Sequence, residues 1–262
     1  MAEYKSYQLL PSLMGLEKGD VVLLTSDITD LFLQCQEHGE VFSPNLLLDG
    51  FQEAVGDEGT LLIPTYHWGF CQGKTFDYRK TPGKTGALGN AALRRQDFHR
   101  TKHPIYSFAV WGKDTEYLCS LENVESFGSD SPFAYLERVD GKNAFIGSAS
   151  IRNSFTYIHY VEQKLGASYR YSKMFTSRYV DQEGKETEKG YSMYVRDLDL
   201  DVVCRPDPFA DDLFADGKIK SGDINGVPFE VIRFSDVTPY ITNDILFNRS
   251  RKLCTYKGQR II

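Results

Sequence analysis

Residues 20–65, DVVLLTSDITDLFLQCQEHGEVFSPNLLLDGFQEAVGDEGTLLIPT, decide the fold. After Asp20 the first six positions run apolar without alternation, the pattern of a strand buried on both faces inside a parallel sheet. Ser43-Pro44 then marks a helix start. The serine hydroxyl can accept from an orphan N–H of the first turn, and proline gives up an N–H that the turn cannot pair anyway. That helix should run through Val55 and close at Gly56, and residues 60–64 form a second apolar strand. Strand, helix and strand in this order favour a right-handed crossover and a parallel pairing.

The alternation continues outward. A helix is expected over 85–95 with Thr85 as its cap, a strand over 107–111, and another helix from Ser131-Pro132. Residues 143–162, NAFIGSASIRNSFTYIHYVE, read as a short strand (143–146), a small-residue turn (147–150) and a helix opening near Asn153 or Ser154. Past Leu165 the character changes. Segments 177–180 and 191–195 flank a polar turn and read as a long hairpin, and 209–222 is acidic and irregular. A strand over 227–234 and a helix over 237–246, with Pro239 near its start, complete the chain. The expectation is one α/β/α domain spanning 1–262, with a largely parallel central sheet and a hairpin-bearing C-terminal portion over about 166–262.

Composition narrows the function. The 262 residues are 41% hydrophobic and 25% charged, enough for one sizeable core. A net charge of −6 without a basic stripe argues against nucleic-acid binding. The five cysteines (Cys35, Cys71, Cys119, Cys204, Cys254) lack paired spacing, so neither a zinc site nor a disulfide framework is expected. No signal-like N-terminus and no membrane-length apolar run are read, so a cytoplasmic protein without a membrane partner is expected. Oligomeric state stays open, a homodimer included.

The segment that could carry chemistry is the helix at the end of 143–162. Thr156, His159 and Glu162 recur every three residues and project from one face. A carboxylate one turn beyond a histidine can fix the ring tautomer and stabilise the imidazolium, which makes an oriented general base. The same spacing also occurs in solvated surface pairs. Residues 64–107 hold a second concentration of polar and loop signals. Tyr66 and Trp68 leave the C-terminal end of a strand, where open α/β sheets place ligands.

Taken in order, these segments resemble the aminoglycoside 3-N-acetyltransferase family. The resemblance rests on Gly15-Leu16-Glu17-Lys18-Gly19-Asp20 and on Gly59-Thr60-Leu61-Leu62-Ile63-Pro64-Thr65. It continues through Phe76-Asp77, Thr81-Pro82, Gly86-Ala87-Leu88, and Arg100-Thr101-Lys102-His103-Pro104 with Ser107 and Gly112. Ser131-Pro132 with Leu136, and residues 154–162, complete the series. It covers roughly residues 15–165 and implies acetyl transfer from acetyl-coenzyme A, as cosubstrate, to a primary amine without a metal. His159 matches the family's catalytic histidine and Glu162 its orienting partner; Thr156, one turn before His159, joins them as a catalytic candidate that can position either substrate. Thr25, Ser26 and Asp27 stand where the family has a His-Ser-Ser type sequence against the cofactor. Here Thr25 replaces the histidine and Asp27 adds a negative charge. Arg100, Lys102, His103 and Ser107 are further cofactor candidates.

For the acceptor, Tyr66, Trp68 and Asp77 are candidates, along with the acidic stretch 207–216. The acceptor itself is an amino sugar, either an aminoglycoside or a sugar attached to a nucleotide. A different acyl group, a hydrolase with Cys71 or Cys119 as nucleophile, and an inactive nucleotide-binding relative remain as alternatives.

Overall fold

The computed structural model describes residues 3–259. Helix α1 (Leu10–Met14) precedes strand β1 (Val21–Ser26), and α2 (Thr29–Glu37) and α3 (Pro44–Val55) carry the chain to β2 (Thr60–Pro64). Next come β3 (Phe76–Asp77), α4 (Ala87–Ala92), β4 (His99–Arg100), β5 (Phe108–Gly112), α5 (Thr115–Ser120) and α6 (Pro132–Arg138). Strand β6 (Lys142–Ile146) leads into α7 (Tyr157–Lys164), and β7 (Arg170–Val180) and β8 (Glu186–Arg196) form a hairpin. The chain ends with β9 (Val203–Cys204), α8 (Asp207–Ala215), β10 (Lys220–Ile224), β11 (Val227–Arg233), α9 (Phe234–Phe247) and β12 (Cys254–Thr255).

Seven strands make the main sheet in the order β10-β11-β6-β1-β2-β5-β4. Strand β1 lies parallel to both β2 and β6, as the apolar run predicted. The largely parallel sheet is corrected to a parallel centre, because β5, β4, β11 and β10 all add antiparallel at the flanks. Successive residues of the central strands serve two cores. Val22, Leu24, Leu61, Ile63, Ala144 and Ile146 pack with α1, α3 and α4, whereas Leu23, Leu62 and Phe145 pack with α6, α7 and α9. Each buried leucine contributes about 1.5–3 kcal/mol of transfer free energy, so these strands must be apolar on both faces. No helix among the described residues is long and apolar enough to cross a membrane.

Local departures have physical causes. Ser43 and Ser131 cap their helices as expected, accepting from Leu46 N and Ala134 N. Thr85 does not cap α4; its hydroxyl donates to Pro64 O at 2.8 Å and ties the helix entry to the end of β2. Helix α7 begins at Tyr157, later than read, because 150–154 closes as a turn. Ser154 N donates to Ser150 O at 2.9 Å, and Ser150 N donates to Asn153 Oδ1 at 3.0 Å. The acidic 209–222 segment is not irregular. It holds most of α8, which buries Phe209, Ala210 and Leu213, and the start of β10.

Two devices shape the C-terminal edge of the sheet. Gly147, after β6, has φ 71°, and a Cβ there would sit 2.1 Å from the carbonyl oxygen of Asp27 after β1. Only glycine allows these loops to approach. The other device is a buried knot over 100–107. The Arg100 guanidinium donates to Ser107 Oγ at 3.1 Å and Thr81 O at 2.6 Å, and its carbon lies 4.6 Å from the Phe76 ring centre. Ser107 Oγ also donates to Thr65 O at 3.0 Å. His103 Nδ1 accepts from Ile105 N and Tyr106 N, and its Nε2 lies 3.4 Å from Ser126 Oγ. Lys102 pairs with Glu122, and Asp77 Oδ1 accepts from Arg79 N and Lys80 N. The knot pins the Thr65–Trp68 loop to the sheet.

Gly147→Ala is expected to lower the unfolding free energy by about 1–3 kcal/mol, measured by urea titration. His103 gives a pH signature. Burial pushes it down to about 3, whereas an unfolded histidine titrates near 6.5. Between these values only the unfolded state binds the proton, so stability falls as pH drops, by about 1.4 kcal/mol per pH unit. His103→Gln should flatten that slope in denaturation curves between pH 4 and 6.

Candidate active site

Parallel strands β1, β2 and β6 end together, and the loops beyond them enclose a cleft of about 740 Å³. Its wall is made by Thr25, Ser26, Asp27 and Thr29 after β1, Pro64, Tyr66 and Trp68 after β2, and Ser148, Asn153 and Ser154 after β6. Thr85, Gly86 and Tyr106 close the far side, and Thr156 with His159 stands at one end. Open sheets bind ligands where neighbouring connections diverge, and β1 is that point here. Sequence reading included Thr25, Ser26, Asp27, Tyr66, Trp68, Thr156 and His159. It missed Thr85, Ser148, Asn153 and Ser154, which carry no signal beyond being polar turn residues.

A second cleft, of about 470 Å³, opens against the hairpin. It is lined by Arg170, Tyr171, Lys173, Phe175, Met193 and Arg196, among others, and it shares Trp68, Tyr106 and His159 with the first. His159 therefore stands where two clefts meet. The ring packs edge-on against Phe127, with centroids 5.7 Å apart.

Behind the histidine lies a buried charge. Glu162 is 2% exposed, shares hydrogen bonds with His159 and Tyr169, and forms an ion pair with Arg170. Its Oε2 lies 2.7 Å from His159 Nδ1 and 2.7 Å from Arg170 Nε, and its Oε1 accepts from Tyr169 Oη at 2.8 Å. Burial works against the carboxylate. The His159 hydrogen bond, the positive charge of Arg170 and the Tyr169 hydroxyl outweigh it and hold the carboxyl below its ordinary range. For His159 burial acts first and the Arg170 charge second, both downward, against the raising effect of Glu162; the net direction is down. The ring is neutral near pH 7, with Nδ1 engaged by Glu162 and Nε2 left for the clefts.

Thr156 precedes the first turn of α7 and keeps the three-residue spacing, since His159 N donates to Thr156 O at 3.0 Å. Its hydroxyl lies beside the buried phenol of Tyr66, which finds no well-formed hydrogen bond among the described residues. Asp27 Oδ1 accepts from Thr29 N at 3.1 Å and Thr29 Oγ1 at 2.7 Å, and Oδ2 accepts from Ser148 Oγ at 2.5 Å. The Ser148 and Thr29 bonds hold its carboxyl below the usual range.

Five of the expected ligand-binding residues do not border either cleft. Arg100, Lys102, His103 and Ser107 are used by the knot described above, and Asp77 organises the turn after β3. Their cations and hydroxyls are already paired with backbone and side chains. The acidic stretch 207–216 also lies away from both clefts, its Asp207 and Asp211 meeting Arg152. Burial pushes the Cys71 and Cys119 thiols up to about 11, which keeps both protonated, and neither borders a cleft. Among the described residues no group of three or more His, Cys, Asp or Glu is placed to hold a metal.

Comparison with solved structures finds the same architecture. Aminoglycoside acetyltransferase AAC(3)-Xa superposes with a TM-score of 0.76 at 20% identity, covering 92% of this chain and 91% of that one. The YokD protein from Bacillus subtilis gives 0.75 at 18%, covering 96% and 97%. An AAC-IIIb binary complex with CoASH gives 0.74 at 16%, covering 93% and 97%. The family model described as aminoglycoside 3-N-acetyltransferase matches residues 38–243, most of the chain and all but the first strand of the cleft. The chain belongs to this family of acetyl-coenzyme A-dependent N-acetyltransferases.

Proposed function

We propose that the protein moves the acetyl group of acetyl-coenzyme A directly onto a primary amine of an amino sugar, with His159 as general base and Glu162 as its orienting partner. The observation that carries this reading is the shared position of His159: one neutral imidazole, backed by a buried carboxylate, borders two clefts at once. Two substrates entering from opposite sides would meet at its Nε2.

The first cleft suits the donor. The N–H groups of Ile28, Ser148 and Ala149 find no acceptor among the described residues, and the hydroxyls of Ser26, Thr29 and Ser154 border the same space. Backbone donors and hydroxyls of this kind hold phosphate oxygens. The Asp27 charge is taken up by Thr29 and Ser148, which limits its repulsion of a pyrophosphate. Thr25 and Ser26 complete the donor wall.

The chemistry follows from the protonation states. A free amine nitrogen attacks the thioester carbon, and Nε2 takes its proton as the C–N bond forms. The Thr156 hydroxyl donates to the developing oxyanion. Collapse breaks the C–S bond, and the imidazolium returns the proton to the thiolate, so His159 ends neutral. Glu162 stays ionised throughout and holds Nδ1–H in place. Trp68 and Tyr106, which border both clefts, would frame the acceptor, with Tyr66 on the donor side.

His159→Ala is expected to lower kcat/KM for acetyl transfer by about 10²- to 10⁴-fold, followed as thiol release. Since activity needs the neutral ring and burial depresses its pKa, the acidic limb of kcat/KM should lie below pH 6.5. In Glu162→Gln the raising influence is lost, so that limb should move to still lower pH while the rate falls. Thr156→Val should reduce kcat with little change in KM. A His159→Ala enzyme of full activity would overturn the assignment.

A further inference from the structure

The two clefts differ in charge. The first is bordered by one ionised group, Asp27, and by neutral His159. The second is bordered, among the described residues, by three cations, Arg170, Lys173 and Arg196, and by no carboxylate. A polycationic acceptor would bring its ammonium groups against these side chains.

The cations are not equally engaged. Arg170 spends its charge on Glu162 and also donates to Tyr194 O at 3.2 Å. Arg196 stands directly opposite Arg170 in the hairpin ladder, so two guanidinium groups are juxtaposed. Like charges placed so are mutually destabilising unless each finds an anion. Among the described residues Arg196 meets only a carbonyl, Val202 O at 3.3 Å. Lys173 is exposed, and its ammonium lies 5.5 Å from the centre of the Phe175 ring with no carboxylate or hydrogen-bond partner among the described residues. It shares a strand face with Tyr171 and Phe175, and with Met193 and Val195 across the ladder, whereas Arg170 and Arg196 alternate onto the other face; residues of both faces line the cleft. An apolar and aromatic floor with two uncommitted cations fits a partly apolar or ring-bearing body that carries an anionic group.

Building on the two-cleft reading, we infer that the acceptor is an anionic amine, with a phosphate-class group bound by Lys173 and Arg196 while its amino group reaches His159. The anion could belong to a simple sugar phosphate or to a nucleotide-linked sugar; the chemistry of the contact is the same. Such a contact also answers the Arg170–Arg196 juxtaposition, since the substrate supplies the charge that the protein leaves out. An aminoglycoside does the opposite.

The test compares kcat/KM for glucosamine, glucosamine 6-phosphate, uridine diphosphate-glucosamine and kanamycin A at saturating acetyl-coenzyme A, with calorimetric binding of the same four compounds. A phosphate-bearing amine should exceed glucosamine by about tenfold or more, with kanamycin the poorest. Which of the two anionic compounds leads separates the sugar phosphate from the nucleotide sugar. In Lys173→Glu and Arg196→Gln the preference should collapse through KM, and Lys173→Arg should retain it. Lys173 is exposed, so its variants report on charge and not on folding. Preference for kanamycin or glucosamine would overturn the inference and leave acetyl transfer intact. Lys173-dependent binding of the anionic amines without turnover would uphold the anion site and remove the proposed reaction. A raised KM for acetyl-coenzyme A in Lys173→Glu, with acceptor preference unchanged, would assign the cations to the donor and overturn the inference. So would failure of both anionic amines to bind.

Discussion

The carboxylate of Glu162 is the group on which the rest of the site depends. A charge this deeply buried persists only if its neighbours replace the water it has lost. Here they come from three places: His159 from its own helix, Tyr169 from the segment that follows, and Arg170 from the first residue of the hairpin. Meeting that requirement docks the hairpin against α7. The second cleft exists because the hairpin lies there. One electrostatic demand therefore orients the imidazole and builds a wall of the second cleft.

The balance around Glu162 also sets the histidine. Two influences oppose each other at the ring, since Glu162 favours the proton and burial with Arg170 disfavours it. Were the carboxylate unpaired, it would pull the imidazole toward the charged form, which cannot act as a base. With Arg170 sharing the carboxylate, His159 keeps a fixed tautomer and stays neutral at working pH. Orientation and basicity would otherwise conflict. Arg170 is thus a positioning residue whose effect is felt at a nitrogen it does not touch.

Much of this was legible in the sequence, and the unread parts share a cause. The central strands announced themselves because two-sided burial demands unbroken apolar residues. The His159–Glu162 pair was legible because helical spacing maps directly onto contact. Arg170 was missed: it lies beyond the helix, and only tertiary packing brings it to Glu162. Helix α8 was hidden by its aspartates, although Phe209, Ala210 and Leu213 form its buried stripe. Arg100, Lys102, His103 and Ser107 are the most instructive case. A dense polar run was read as a ligand surface, and in the fold these residues border neither cleft and already have protein partners. Sequence reveals polar capacity, but not whether the protein has already used it.

That distinction also organises the two clefts. In the first, the acid is satisfied by Thr29 and Ser148, and the open groups are backbone donors and hydroxyls. In the second, one cation is spent internally on Glu162 and two are not. Unspent capacity is what a binding partner can use, because a group already paired gains little from a new contact. Counting charges along the chain gives −6. Counting only uncommitted charges around His159 reverses the sign. The net charge of the protein and the charge that the second cleft offers are separate quantities.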